Sequence, residues 1–196
     1  MKIILGSSSQ WRRRLIGQLG YGEVELASAD IDEKAIRLPD PAELTRTLAA
    51  AKAEALFEKL GRQDALLITA DMVMSWRGKI LEKPADASEA RFHLRLYGHG
   101  DNAPVAVAAV RVTRLDDPTR WVEDAAEARL DYRPLPDSVI EQVLRRPETY
   151  TMAGSHNVMN PLVRPCINLY PYGSVDIVFG LPVKLTRKLI TRAFAL

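Results

Sequence analysis

Asp71 interrupts the run Leu66-Leu67-Ile68-Thr69-Ala70-Asp71-Met72-Val73-Met74, whose apolar, β-favouring residues predict a buried strand. An ionised carboxylate in such a strand is costly unless it is paired, hydrogen-bonded or metal-bound. Lys83, twelve positions later and beside Pro84, is a candidate neighbour. Lys52 is the second misplaced charge. The i+4 row Leu44, Leu48, Lys52, Leu56, Leu60 is otherwise apolar. Either Lys52 reaches water along its alkyl stem, or it enters a cleft where an acid or a phosphate meets it.

A third grouping is Gly6-Ser7-Ser8-Ser9-Gln10-Trp11-Arg12-Arg13-Arg14, a strand end passing through small residues into a helix. Backbone N–H groups, the positive end of the helix dipole and an Arg fork make such a start an anion site. The alternative is a serine cap with arginines on a solvated face. Successive Arg side chains fan about 100° apart, so one or two at most can share a ligand. Asp30, Asp32 and Glu33 form an acidic loop. Most such loops are simply solvated, but folded over Asp71 this one could share a divalent cation.

These residues need a frame. Residues 2–6 predict a strand, about 10–19 a helix and 23–28 a second strand. Asp40-Pro41-Ala42-Glu43 is a helix start, and that helix runs to Leu60 before Gly61. The strand holding Asp71 should turn back at Arg77-Gly78. Asp86-Ala87-Ser88-Glu89 opens a helix to Leu96. Residues 104–115 and 121–132 predict a hairpin, and 136–145 a helix. Short strands are expected within 147–180, notably over 174–179, before a closing helix from 181 to 194. Alternating elements without a repeat or long linker predict an α/β fold with a mixed sheet.

The 196 residues, 47% hydrophobic and 27% charged with a formal net charge of +2, suit one large domain or two joined lobes. That charge does not suit a coat for nucleic acid or an anionic membrane. One cysteine, Cys166, gives no disulfide framework and reads as a small, partly buried apolar residue. The start is too short for a signal peptide, and no apolar run reaches the roughly 20 residues of a membrane span. A soluble, cytoplasmic protein is expected. His93, His99 and His156 lack metal-ligand spacing, no Walker loop or nucleophile elbow occurs, and Met72, Met74 and Met159 read as core filler.

Seven fragments in order then carry a resemblance: Leu5–Arg13, Asp30-Ile31-Asp32-Glu33, Ala51-Lys52-Ala53, Thr69-Ala70-Asp71, Glu82-Lys83-Pro84, Ala153-Gly154-Ser155 and Gly180-Leu181-Pro182. Together they resemble the Maf-like nucleotide pyrophosphatases over nearly the whole chain. The resemblance implies one elongated α/β domain of two lobes around a deep cleft, related to the inosine triphosphate pyrophosphatases and often dimeric. It implies hydrolysis of a nucleoside triphosphate to monophosphate and pyrophosphate with a divalent cation, Mg²⁺ or Mn²⁺. By motif match Asp71 would be the proton acceptor, with Glu33 assisting and both near the metal. Ser7, Ser9, Arg12, Lys52 and Lys83 would hold phosphates.

Trp11 and Ala153-Gly154-Ser155 are similar to the 7-methyl-GTP branch, where an aromatic face could stack on a cationic base. Met72 and Met159 stand where a hydrogen-bonding side chain is usual in either branch. A dTTP/UTP enzyme and a non-catalytic nucleotide-binding protein are the alternatives.

Overall fold

A computed structural model describes residues 1–129, 131–155, 157–169 and 175–196. The elements are β1 (Lys2–Gly6), α1 (Gln10–Gly17), β2 (Val24–Ala27), α2 (Pro41–Leu60), β3 (Ala65–Trp76), β4 (Lys79–Leu81), α3 (Ala87–Leu96), β5 (Val105–Arg114), β6 (Trp121–Arg129), β7 (Asp131–Tyr132), α4 (Asp137–Leu144), β8 (Ile167–Leu169), α5 (Val175–Val178) and α6 (Val183–Phe194). The principal sheet is mixed, in the order β2-β1-β3-β5-β6 with β4 beside β3, and β7 pairs with β8. The α/β class expected from the alternating elements is the one found.

The described chain divides into two compact units. One comprises Met1–Met72, Val107–Ala126 and Val175–Leu196; the other comprises Val73–Ala106 and Glu127–Ser174 as far as they are described.

In the first unit β1 lies parallel to both β2 and β3, with Ile4 opposite Leu67 and Leu5 opposite Ile68. Side chains alternate across a strand, so the sheet has two differently covered faces. Ile3, Leu5, Leu66, Ile68 and Ala70 pack with Leu15, Ile16 and Leu19 of the α1 region and with Leu189, Ile190 and Ala193 of α6. Ile4, Ala65 and Leu67 pack with Ala53 and Leu56 of α2. Continuing that parity, Thr69 and Asp71 point toward α2, and the Thr69 hydroxyl donates to the Ala49 carbonyl at 2.7 Å. The helix start at α2 is the expected one: Asp40 accepts from the Glu43 N–H at 2.7 Å, and Pro41 occupies the first turn.

In the second unit the β3–β4 hairpin pairs Met74 with Leu81 and turns through Arg77 and Gly78, both at positive φ. Asp86 caps α3, and the Glu89 carboxylate returns to the Ala85 N–H at 2.7 Å.

Three expectations need correction. The segment 174–179 is not a strand: Val175–Val178 is a helical turn, and Ser174 lies outside the described residues. Its β-branched types suggest a strand, but the buried Asp176 accepts from the Val183 N–H at 2.6 Å, its carbonyl accepts from Leu181, and Gly180 at φ +81° ends the turn. The strand expected over 121–132 is divided, because β6 belongs to the principal sheet whereas Asp131-Tyr132 pairs with β8. Of the three methionines read as filler, Met74 is buried, but Met159 is 46% exposed. Cys166 is buried, and His156 lies outside the described residues.

Candidate active site

Beyond the C-terminal end of β1 and beside the middle of β3, the first unit opens into a cavity of about 290 Å³. It is lined by Gly6, Ser7, Ser8, Ser9, Arg12, Ser28, Ala29, Glu33, Lys52, Asp71 and Met72. Outside the carboxyl ends of strands is where open α/β sheets bind their ligands. The volume sits at the low end of the roughly 300–1,000 Å³ usual for ligand sites, enough for a polar group such as a phosphate chain.

Lys52 does not snorkel to solvent. Its ammonium donates to Asp71 Oδ1 at 2.5 Å and lies 2.8 Å from Glu33 Oε1. Only 9% of either the Lys52 or the Asp71 side chain is exposed, against 55% of Glu33. The pair therefore has a buried end on the sheet and an exposed end on the loop. Burial raises the Asp71 carboxyl above its ordinary value; Lys52 and Arg12 pull it down, and Glu33 adds to the rise. A carboxylate so placed is a stronger base than a solvated Asp.

Arg12 closes the third side. Its Nη1 donates to the Ala70 carbonyl at 2.7 Å, one residue before Asp71. Burial lowers the guanidinium's pKa, and Asp71 and Glu33 oppose that fall. Ser9 caps α1 by accepting from the Arg12 N–H at 3.4 Å, and the buried Ser7 hydroxyl accepts from the Ser9 N–H at 3.2 Å. The helix thus begins against the cavity, with Ser7, Ser8 and Ser9 on its wall. Arg13 and Arg14 are exposed, as the helical fan requires.

The structure brings together Ser7, Ser9, Arg12, Glu33, Lys52, Asp71 and Met72. Within the acidic loop only Glu33 turns toward Lys52, while Asp32 accepts from the Lys34 N–H at 3.0 Å and Asp30 is exposed. Asp71 takes Lys52 as its cation. Lys83 and Met159 are exposed residues of the second unit. Trp11 does not line the cavity: its ring stacks on Phe179 at 4.3 Å with 5° between planes, and the Arg14 guanidinium lies 5.0 Å from its centroid.

Sequence reasoning missed Phe179 and gave Gly180 a place in a motif but no job. No local signal could link them to Arg12 across more than 160 positions.

A family model described as Maf-like protein matches residues 2–193. The chain belongs to the Maf-like family. A relative from Dictyostelium discoideum named 7-methyl-GTP pyrophosphatase is 32% identical over 196 residues, covering 97% of this chain and 96% of that protein. A relative from Chromobacterium violaceum named dTTP/UTP pyrophosphatase is 30% identical over 192 residues, covering 96% and 93%. Among solved structures, the Staphylococcus aureus Ham1 protein has a TM-score of 0.49 at 10% identity, covering 98% of this chain and 99% of that one.

The donor set of this Maf-like site fits a divalent cation in one particular way. Among the described residues no three His, Cys, Asp or Glu side chains converge. Asp71 and Glu33 do converge, on one ammonium, and hard carboxylate oxygens suit Mg²⁺ or Mn²⁺. Such ions are commonly held by one or two carboxylates together with substrate phosphates. Among the described residues, no helix is long and apolar enough to cross a membrane.

Proposed function

We propose that this protein hydrolyses nucleoside triphosphates at the α–β anhydride, giving the monophosphate and pyrophosphate. The observation that carries this reading is the Lys52 ammonium held between Asp71 and Glu33 in a polar cavity that Arg12 and the start of α1 complete. Phosphoryl transfer needs charge neutralisation and a positioned water, without a covalent nucleophile. The cavity offers cations toward the first and, in Asp71, a carboxylate that can orient the second.

Arg12 and Lys52 offer cationic donors to the phosphates, and Ser7 and Ser9 line the wall where the helix dipole favours an anion. Asp71 accepts the proton that water loses as its oxygen bonds to phosphorus and the anhydride breaks. Its raised pKa suits it to that work, and Glu33 orients the far side of Lys52. Two cations and two carboxylates leave the cavity wall near neutrality, so a polyphosphate brings charge that these residues alone do not balance. A divalent cation held by Asp71 and Glu33 would supply the remaining positive charge. By motif match alone, Lys83 is proposed as a further phosphate ligand and the cytoplasm as the place of action.

For the base, a 7-methyl-GTP-like preference is favoured by the Dictyostelium relative's name together with Trp11 and Ala153-Gly154-Ser155. A dTTP/UTP preference is the second reading, favoured by the name of the Chromobacterium relative. Met72 and Met159 are the specificity positions in either case. Pyrophosphate release should be measured with Mg²⁺ or Mn²⁺ across 7-methyl-GTP, GTP, dTTP, UTP and ATP. Turnover highest on 7-methyl-GTP and lost in Asp71→Asn is expected. No release from any triphosphate, or equal release by Asp71→Asn, overturns the proposal.

A further inference from the structure

Arg12 is the phosphate-facing residue whose position is most exposed to error, because a guanidinium on four rotatable bonds has many places to go. Among the described residues its side chain makes one hydrogen bond, Nη1 to the Ala70 carbonyl, and its buried Nε has no hydrogen-bond partner. Something else must hold the plane of the guanidinium.

Gly180 lies against it. A Cβ added there would stand 2.8 Å from both Arg12 Nε and Nη2, closer than real Cβ contacts come, and 3.3 Å from Cζ, a tight contact. The residue is also at φ +81°, a conformation that L side chains rarely adopt. The backbone's handedness favours glycine here, and any Cβ would have to displace the Arg12 guanidinium.

The turn bearing Gly180 is itself fixed. Gly180 N–H donates to the Ile177 carbonyl at 2.9 Å and Leu181 N–H to the Asp176 carbonyl at 3.0 Å. The Asp176 carboxylate accepts the first N–H of α6 at 2.6 Å, and Leu181 is fully buried in the core. Phe179, the residue before, stacks flat on Trp11, the residue before Arg12. One turn therefore grips two consecutive residues of α1, one by ring stacking and the other by close backbone approach.

We propose that the Phe179–Gly180 turn is the positioning element for Arg12. It presses the guanidinium onto the Ala70 carbonyl, one residue from Asp71, and so presets the fork that receives phosphate. This rests on the pyrophosphatase reading for the identity of the anion. The stack with Trp11 fixes the helix end, and the Gly180 backbone forms the wall that the guanidinium slides along. A displaced Arg12 leaves the Lys52–Asp71–Glu33 group in place, so the defect falls on anion binding more than on the chemical step.

The test compares wild type, Gly180→Ala, Gly180→Asn, Phe179→Leu and Arg12→Ala. It measures binding of inorganic pyrophosphate with Mg²⁺ by calorimetry, and KM and kcat for the preferred triphosphate. Losing one well-formed charge-assisted contact corresponds to about tenfold in affinity. Gly180→Ala should therefore weaken pyrophosphate binding and raise KM by about that factor, with a smaller change in kcat. Asn tolerates the left-handed backbone but still carries a Cβ, so Gly180→Asn should share the defect. Phe179→Leu, which keeps the apolar bulk, should show a weaker defect of the same kind and serves if the glycine variants fail to fold. In an Arg12→Ala background Gly180→Ala should add nothing further.

Wild-type affinity in Gly180→Asn and Phe179→Leu, or full additivity with Arg12→Ala, overturns the proposal. Wild-type protein that binds no pyrophosphate also overturns it. A wild type that binds pyrophosphate but turns over no triphosphate removes the proposed reaction and leaves the positioning role to be decided by the affinities.

Discussion

Replacing Lys52 by Met tests whether the pair beneath the cavity is the buried contact that the geometry describes. The substitution keeps length and apolar bulk and removes the ammonium that touches Asp71 at 2.5 Å and Glu33 at 2.8 Å. Breaking a buried pair by deleting one partner costs about 3–5 kcal/mol, because the other charge is left unpaired. The open cavity and nearby Arg12 soften that, so about 3 kcal/mol is expected at pH 7.5. For a chain of this size that is a fall in Tm of about 6–12 °C.

The pH dependence follows from Asp71. Burial already raises its folded pKa above the unfolded value, so the folded form loses stability as pH rises through that pKa. Removing Lys52 raises it further, and the deficit of Lys52→Met should shrink as the buffer is acidified toward pH 5. Asp71→Asn alone should cost less, about 1 kcal/mol, since Lys52 keeps Glu33, and the double variant should recover most of the loss. Urea unfolding followed by circular dichroism, in chelator at pH 7.5 and pH 5.5, measures all four proteins. A Lys52→Met protein as stable as wild type at pH 7.5, or one whose deficit ignores both pH and Asp71→Asn, refutes the reasoning.

Three further outcomes are expected. Gly98→Ala places a Cβ 2.5 Å from the Pro134 backbone at φ +90°, so loss of about 2–4 kcal/mol should appear in thermal unfolding. Burial lowers the pKa of His93, packed beside Ser155 at 3.3 Å, while Glu89 pulls it up. The unfolded chain then binds that proton more readily, so stability is lost as pH falls below the ordinary histidine range, and His93→Gln should flatten this slope in unfolding measured from pH 7.5 to 5.5. Chelation should abolish turnover and Mn²⁺ restore it. Because Lys52 and Arg12 together already balance the two carboxylates, Mn²⁺ alone should bind weakly, with affinity rising at least tenfold when a non-hydrolysable nucleotide is present, as calorimetry can measure.

Much of this site is legible in the sequence because burial makes charge conspicuous. Asp71 stands out against Leu66–Met74, and Lys52 against the leucines of α2, by the same rule that polar groups inside a protein need partners. What the sequence does not say is which partner each one takes. Lys83 is nearer to Asp71 along the chain, but strand parity turns Asp71 toward α2, where Lys52 waits. The acidic loop likewise offers three carboxylates, and only the turn that Asp32 caps decides that Glu33 is the one beside Lys52. The segment 175–178 misleads for a related reason. Its residue types favour a strand, whereas Asp176 binds the backbone of its own turn and of α6. Tertiary hydrogen bonds override a weak local preference.

Trp11 sharpens the question of substrate choice. A half-buried aromatic beside the proposed anion site invites a stacked base, yet its ring already lies flat on Phe179 and is absent from the cavity wall. For a base to take that place, the Trp11–Phe179 contact would have to open, at a cost of about 0.5–1.5 kcal/mol beyond the area uncovered. The residues lining the cavity otherwise recognise charge: a fork, an ammonium, hydroxyls and two carboxylates, all of which any triphosphate satisfies equally. Met72 is the large lining side chain that offers neither a strong hydrogen bond nor a charge, beside the small Ala29. On the proposed reading, a pocket built this way would hold the polyphosphate by charge and leave the base to shape and dispersion. Substitutions at Met72 should therefore redistribute activity among bases far more than they alter the affinity for pyrophosphate.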